Sequence, residues 1–181
     1  MQHVTSILAP LALLAAAGCL EPLQIVAEAP HACLITPKVQ FVATPQVEDP
    51  PGFSSSFDRR LEYPVDSALL FGDPGSTRLF LISVTLSSEG GSFDFVEEAI
   101  VSVARSPEPE AELVPVVRYL RTGDPGATLA VVPDEPVDLV PFVKDGRVTF
   151  EIRATSALPP PAMKVDVKVC LAAEKTISYG N

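Results

Sequence analysis

The chain has 181 residues, a formal net charge of −10 and no tryptophan. Its isoelectric point of about 4.6 excludes a DNA- or RNA-binding role built on neutralising phosphates, and it argues against docking by net charge on anionic lipid. The length suits one domain with a real hydrophobic core.

The first element is apolar. Residues 7–17 carry no charge and are interrupted only by Pro10. As a helix they would cover about 16 Å, half of the ~30 Å of a hydrocarbon core. No later stretch approaches the ~20 apolar residues that a spanning helix needs. A short apolar run at an N-terminus, ending in small residues, reads as the hydrophobic region of a signal peptide. Two cut sites fit it. Ala15-Ala16-Ala17 suits an ordinary signal peptidase. Ala16-Ala17-Gly18-Cys19 resembles the lipobox of bacterial lipoproteins, a Leu-like residue and two small residues before an invariant cysteine. This sequence has Ala16 where leucine is usual, and no Lys or Arg precedes Cys19. The resemblance covers residues 1–19. It implies a signal peptide over 1–18, cleavage before Cys19, and a diacylglycerol on the Cys19 thiol. Leu20 rather than Asp follows, which in the better-studied sorting rule of that family implies the outer membrane.

Residues 19–31 are mixed and weakly patterned, as expected of a tether, and a domain over 32–181 follows. Cysteine parity fits the same picture. The chain has Cys19, Cys33 and Cys170. If Cys19 carries lipid, two remain, and in an extracytoplasmic chain they suggest one disulfide. The alternative is two unpaired thiols. A Cys33–Cys170 bridge would enclose most of the chain, and the chain-entropy model sets its upper contribution at about 5 kcal/mol.

From residue 32 onward the apolar pattern has period two. Strands are expected over 39–43, 68–71, 78–86, 99–104, 116–120, 128–132, 147–154 and 164–171. In the seventh, Val148, Phe150, Ile152 and Ala154 share one face, and Arg147, Thr149, Glu151 and Arg153 the other. In the eighth, Val165, Val167, Val169 and Leu171 point in. Cys170 has outward parity, so its bridge is expected on an outer face or at an edge. Residues 97–105 and 110–120 leave room for one short helix, which Pro115 keeps short. The 19 prolines are about twice the usual ~5 % and are scattered, which suggests turns and blunted sheet edges. Gly72-Asp73-Pro74-Gly75 returns as Gly123-Asp124-Pro125-Gly126, and both read as tight turns. About eight short strands in one domain mean a single antiparallel β-sandwich, jelly-roll or Ig-like. Residues 137–153, VDLVPFVKDGRVTFEIR, resemble a passage common in jelly-roll and galactose-binding-like sandwich domains. There a helical turn leads into a strand.

Chemistry-bearing motifs are thin. G-x-S-x-G, H-E-x-x-H, Walker and G-x-G-x-x-G patterns do not occur. After cleavage His31 is the only histidine, at the end of the tether. One histidine and a disulfide leave no zinc ligand set. Glu48-Asp49, Glu97-Glu98, Glu108 with Glu110 and Glu112, and Asp134-Glu135 with Asp138 are loop acids without a calcium-loop spacing, read as a solvated surface. Tyr63, Tyr119 and Tyr179 are the only polar aromatics for stacking on sugar. These signals point to a lipid-anchored protein of the bacterial cell envelope with a non-enzymatic structural, accessory or protein-binding role, no cofactor, and an envelope protein as partner. The alternatives are a module binding carbohydrate or calcium and, third, an envelope hydrolase.

Overall fold

The computed structural model describes residues 23–28, 31–41, 44–47, 53–65, 77–156 and 163–179. The described strands are β1 (Leu23–Glu28), β2 (Ala32–Phe41), β3 (Thr44–Val47), β4 (Phe53–Pro64), β5 (Thr77–Ser88), β6 (Glu98–Ala104), β7 (Leu113–Leu120), β8 (Thr128–Val131), β9 (Arg147–Ser156) and β10 (Met163–Tyr179). The first sheet runs β8, β5, β10, and then an outer position that β1 and β2 share end to end along β10. The second runs β7, β6, β9, β4, β3. Every pairing is antiparallel.

The pairings are nested. β6 pairs β7, β5 pairs β8, β4 pairs β9 and β2 pairs β10. Successive pairs alternate between the sheets. A long hairpin rolled in this way is a jelly roll. Of the sandwich readings, the connectivity selects that one.

Alternation puts the core where the sequence expects it. Val148, Phe150, Ile152 and Ala154 of β9 are buried, as are Val165, Val167, Val169 and Leu171 of β10. Tyr63 meets Phe150 edge-on at 6.0 Å between centroids, a favoured aromatic geometry. β5 is apolar on both parities for a different reason. Ser83 pairs Cys170 and Leu81 pairs Leu171, which leaves Ile82 unpaired. This bulge turns Leu79 and Leu81 inward together with Val84 and Leu86.

The prolines sort by position. Pro37, Pro45 and Pro115 lie in β2, β3 and β7, each at the outside of its sheet, and Pro64 ends β4 beyond the reach of β3. β5, β6, β9 and β10 contain none. A proline lacks the N–H that an inner strand must donate to its neighbour, so only outer strands tolerate it.

Two expectations change. The segments 97–105 and 110–120 hold no helix but form the β6–β7 hairpin. Pro115 sits on its free edge, and Ala99, Val101 and Val103 alternate into the core. The helical element among the described residues is a 3-10 turn at Val140–Phe142. It leads through an Asp145-Gly146 turn, both residues at positive φ, into β9, as a two-residue hairpin loop requires. The first sheet also begins earlier than residue 32. Leu23 pairs Tyr179 and Glu28 pairs Glu174, so part of the 19–31 stretch is strand. Residues 1–22, which include the expected signal peptide and Cys19, lie outside the described residues, as do the strand and the turn expected at 68–71 and 72–75.

Candidate functional site

Cys33 and Cys170 stand directly opposite each other in the β2–β10 ladder. They form a disulfide with Cα atoms 4.0 Å apart and a sequence separation of 137. Cys33 is exposed, and the bridge lies at the outer strand, where the parity of Cys170 puts it. It clamps the N-terminal edge to the last strand. On the inner side the same edge is tied to the second sheet by the Thr36 hydroxyl, which donates to the Tyr63 oxygen at 3.2 Å.

The outer face of the second sheet is a lattice of ion pairs. Arg153 of β9 reaches Asp58 of β4 at 2.7 Å, and Arg60 of β4 reaches Glu151 of β9 at 2.9 Å. Arg147 reaches Glu62 diagonally at 3.0 Å, and Arg118 of β7 pairs with Glu98 of β6. Arg153 touches Glu151 as well, at 3.5 Å. Its hydrogen bond to Asp58 raises the pKa of the guanidinium. The β6–β7 loop leans onto this lattice: Arg60 donates to the Glu108 carbonyl at 2.6 Å. A hydrogen bond from Ser106 holds the Glu108 carboxyl below its ordinary pKa. Clefts of 320 Å³ and 220 Å³ flank Pro107 there. Each carboxylate of the lattice accepts from a guanidinium, which suits cross-strand stapling.

Several loop acids have structural partners. Asp94 accepts the Gly126 N–H at 2.8 Å, and the Phe93 N–H meets the Gly126 carbonyl at 2.7 Å. The second Asp-Pro-Gly turn, with Gly126 at φ 66°, is thereby docked on the β5–β6 loop. Hydrogen bonds to Ser92 first, then to the Gly126 backbone, lower the Asp94 pKa. Asp138 accepts the N–H groups of Leu79 and Val140 and joins the 3-10 turn to β5. Glu112 pairs with Arg105 at 2.8 Å. Among the described residues, no three His, Cys, Asp or Glu side chains converge on one point. Glu48 and Asp49 lie outside the described residues.

One groove of 660 Å³ opens beside the first sheet, where residues 132–136 swing away from β5. Phe80 and Ala172 line it, Arg78 and Glu174 lie at its rim, and the exposed His31 reaches it from the start of β2. The Arg78 guanidinium sits 4.8 Å from the Phe80 ring centroid and 4.0 Å from Asp138. Tyr63 is buried, and Tyr119 packs against the core.

No family model and no curated protein matches the chain. Among solved structures, the chain is similar to one from Desmodium yellow mottle tymovirus, at 9 % identity and a TM-score of 0.32, covering 99 % of this chain and 98 % of that one. A chain from turnip yellow mosaic virus is similar at 15 % identity and a TM-score of 0.32, with coverages of 99 % and 93 %. Scores of this size add nothing to the topology read from the strand pairing.

Sequence reasoning reached the cysteines but not the ion-pair lattice. Its signal was present: outward positions of β4 and β9 both alternate in charge, Asp58, Arg60, Glu62 against Arg147, Glu151, Arg153. The sequence pattern predicts no strand over 53–64, so β4 and its pairing with β9 both come from the structure.

Proposed function

We propose that this protein is an extracytoplasmic lipoprotein of the bacterial cell envelope, anchored through Cys19, with a structural or accessory role exercised through a protein partner. The Cys33–Cys170 disulfide carries the reading. Structural disulfides persist in oxidising compartments and are rare in the cytosol of mesophiles. A chain with a hydrophobic leader, a lipobox-like cysteine and two further cysteines bonded to each other is consistent with export. The ion-pair lattice and the docked loops favour a rigid module over a moving catalyst, because their acids are already engaged as hydrogen-bond acceptors.

The test is the intact mass of the protein from a detergent-extracted membrane fraction. The expected mass is that of residues 19–181 carrying about three acyl chains, rising by about 2 Da on reduction. An unlipidated mass in the soluble fraction would overturn the anchor. Cross-linking in whole cells then identifies the partner. A catalogue of soluble ligands without an envelope protein would favour the ligand-binding alternative.

A further inference from the structure

The chain's net charge of −10 conceals an uneven distribution. Lys164 and Lys168 project from the outward parity of β10 and are exposed. Lys38, in the β2 bulge at φ 56°, lies beside them and donates its backbone N–H to Asp166 at 2.8 Å. None of the three ammonium groups has an ion-pair partner among the described residues. Ile35 pairs with Lys168 across the β2–β10 ladder and is 61 % exposed. The neighbouring outward positions are short and uncharged: Ser83, Thr85 and Ser87 on β5, Thr128 and Ala130 on β8. Asp166 is the acid beside the lysines, and it accepts the Lys38 N–H; Glu174 shares their outward parity six residues beyond Lys168, at the groove rim with Arg78.

We propose that this outer face of the first sheet lies against the headgroups of an anionic phospholipid bilayer. The proposal rests on the lipid-anchored reading and adds an orientation to it. Two observations select lipid as the occupant. The first is charge: a cluster of unpaired lysines beside an exposed isoleucine is the surface that an anionic leaflet attracts. The opposite sheet is about 10 Å further away, beyond the ~8 Å over which salt screens charge at physiological ionic strength. Its acids therefore oppose the contact only weakly. The second is continuity with the anchor. Cys19 precedes β1 by four residues, which reach at most roughly 14 Å, and Leu23 pairs Tyr179 at one end of β10. Lys168 stands eleven residues back along β10, a distance of roughly 36 Å. An anchor at one end and lysines towards the other lay the strand along the surface. The ion-pair lattice of the second sheet then faces away from the membrane, towards a protein partner.

The test is lysine acetylation footprinting of the full lipidated protein in vesicles. One set is phosphatidylcholine, and the other contains about 30 % phosphatidylglycerol to make the surface anionic. Lys144, exposed in the turn before β9, is the internal reference. The expected result is an at least threefold (~0.5 log unit) fall in labelling of Lys38, Lys164 and Lys168 relative to Lys144 on the anionic vesicles, reversed by high salt. In a Lys164→Gln/Lys168→Gln variant, Lys38 should lose that protection. Equal labelling on both vesicle types overturns the proposal. Protection in native membranes but on neither vesicle type also overturns it and assigns the face to a protein. Intact mass of the same sample reports the anchor separately. If it shows no lipid, the face is tested by flotation with the same vesicles: enrichment on the anionic set supports it, and equal recovery overturns it.

Discussion

The two outer faces of the sandwich are built from the same kind of strand and treat charge in opposite ways. On the second sheet, Asp58, Glu62, Glu98 and Glu151 each meet an arginine across a strand boundary. On the first sheet, Lys38, Lys164 and Lys168 have no such partner among the described residues, and the strand edge is held instead by a disulfide. The contrast follows from strand position. β4 and β9 run side by side over ten paired residues, which sets Asp58 opposite Arg153, Arg60 opposite Glu151 and Glu62 diagonal to Arg147. β10 has serine and threonine of β5 on one side and the bulged, proline-bearing β2 on the other. The lattice ties its strands together, whereas the lysine face is the one proposed to meet the membrane.

The disulfide should give the largest effect. A Cys33→Ala/Cys170→Ala variant is expected to lose about 2–5 kcal/mol, read as a lower urea midpoint than the oxidised protein. Loss of less than ~1 kcal/mol would mean that the β2–β10 ladder holds without the clamp. Next is the lattice. Glu151 is only 12 % exposed and accepts from both Arg60 and Arg153. Glu151→Ala should cost about 1–3 kcal/mol by leaving a half-buried guanidinium without its acceptor, and a double-mutant cycle with Arg60 should recover most of it.

The tie between the sheets comes third. Tyr63→Phe removes the Thr36 hydrogen bond and should cost about 0.5–1.5 kcal/mol at neutral pH. Burial raises the Tyr63 pKa in the folded protein, and the Thr36 bond only partly offsets this. The folded state therefore holds the proton more tightly. That stability is complete below the unfolded value of about 10 and falls as pH rises from there through the folded pKa. Unfolding curves at neutral and alkaline pH should show a steeper loss for the natural protein than for Tyr63→Phe. The smallest effect belongs to the lysine face. Lys168→Gln should change stability by no more than ~0.5 kcal/mol. A larger loss would show that Lys168 has a structural partner and erase the contrast between the faces.

Much of the fold was legible before any coordinates. Alternation marked β9 and β10, and the buried residues there are those expected from period two. Proline content pointed to turns and blunted edges, and Pro37, Pro45 and Pro115 do lie in outer strands. β6 and β7 were less clear, because short apolar runs with glutamates at their ends fit a helix as well as a hairpin. The decision came from packing: Val101 and Val103 line a shared core only as strand residues. β5 is a central strand, between β10 and β8, and its apolarity on both parities also reflects a bulge at Ile82. A bulge is set by the partner strand's register, which local sequence does not contain.

Local sterics decide which residues can be strand, which turns need glycine and which strands tolerate proline, so those features were written in the chain itself. Cysteine parity belonged with them once Cys19 was set aside. The nesting of β2 with β10 and β4 with β9, the register that sets Cys33 opposite Cys170, and the choice of which charges are neutralised arose only in the folded molecule. Each depends on segments roughly a hundred residues apart being held side by side. Any two amphipathic strands can pair locally on similar terms. The choice among such pairings is made by closing both sheets around one core.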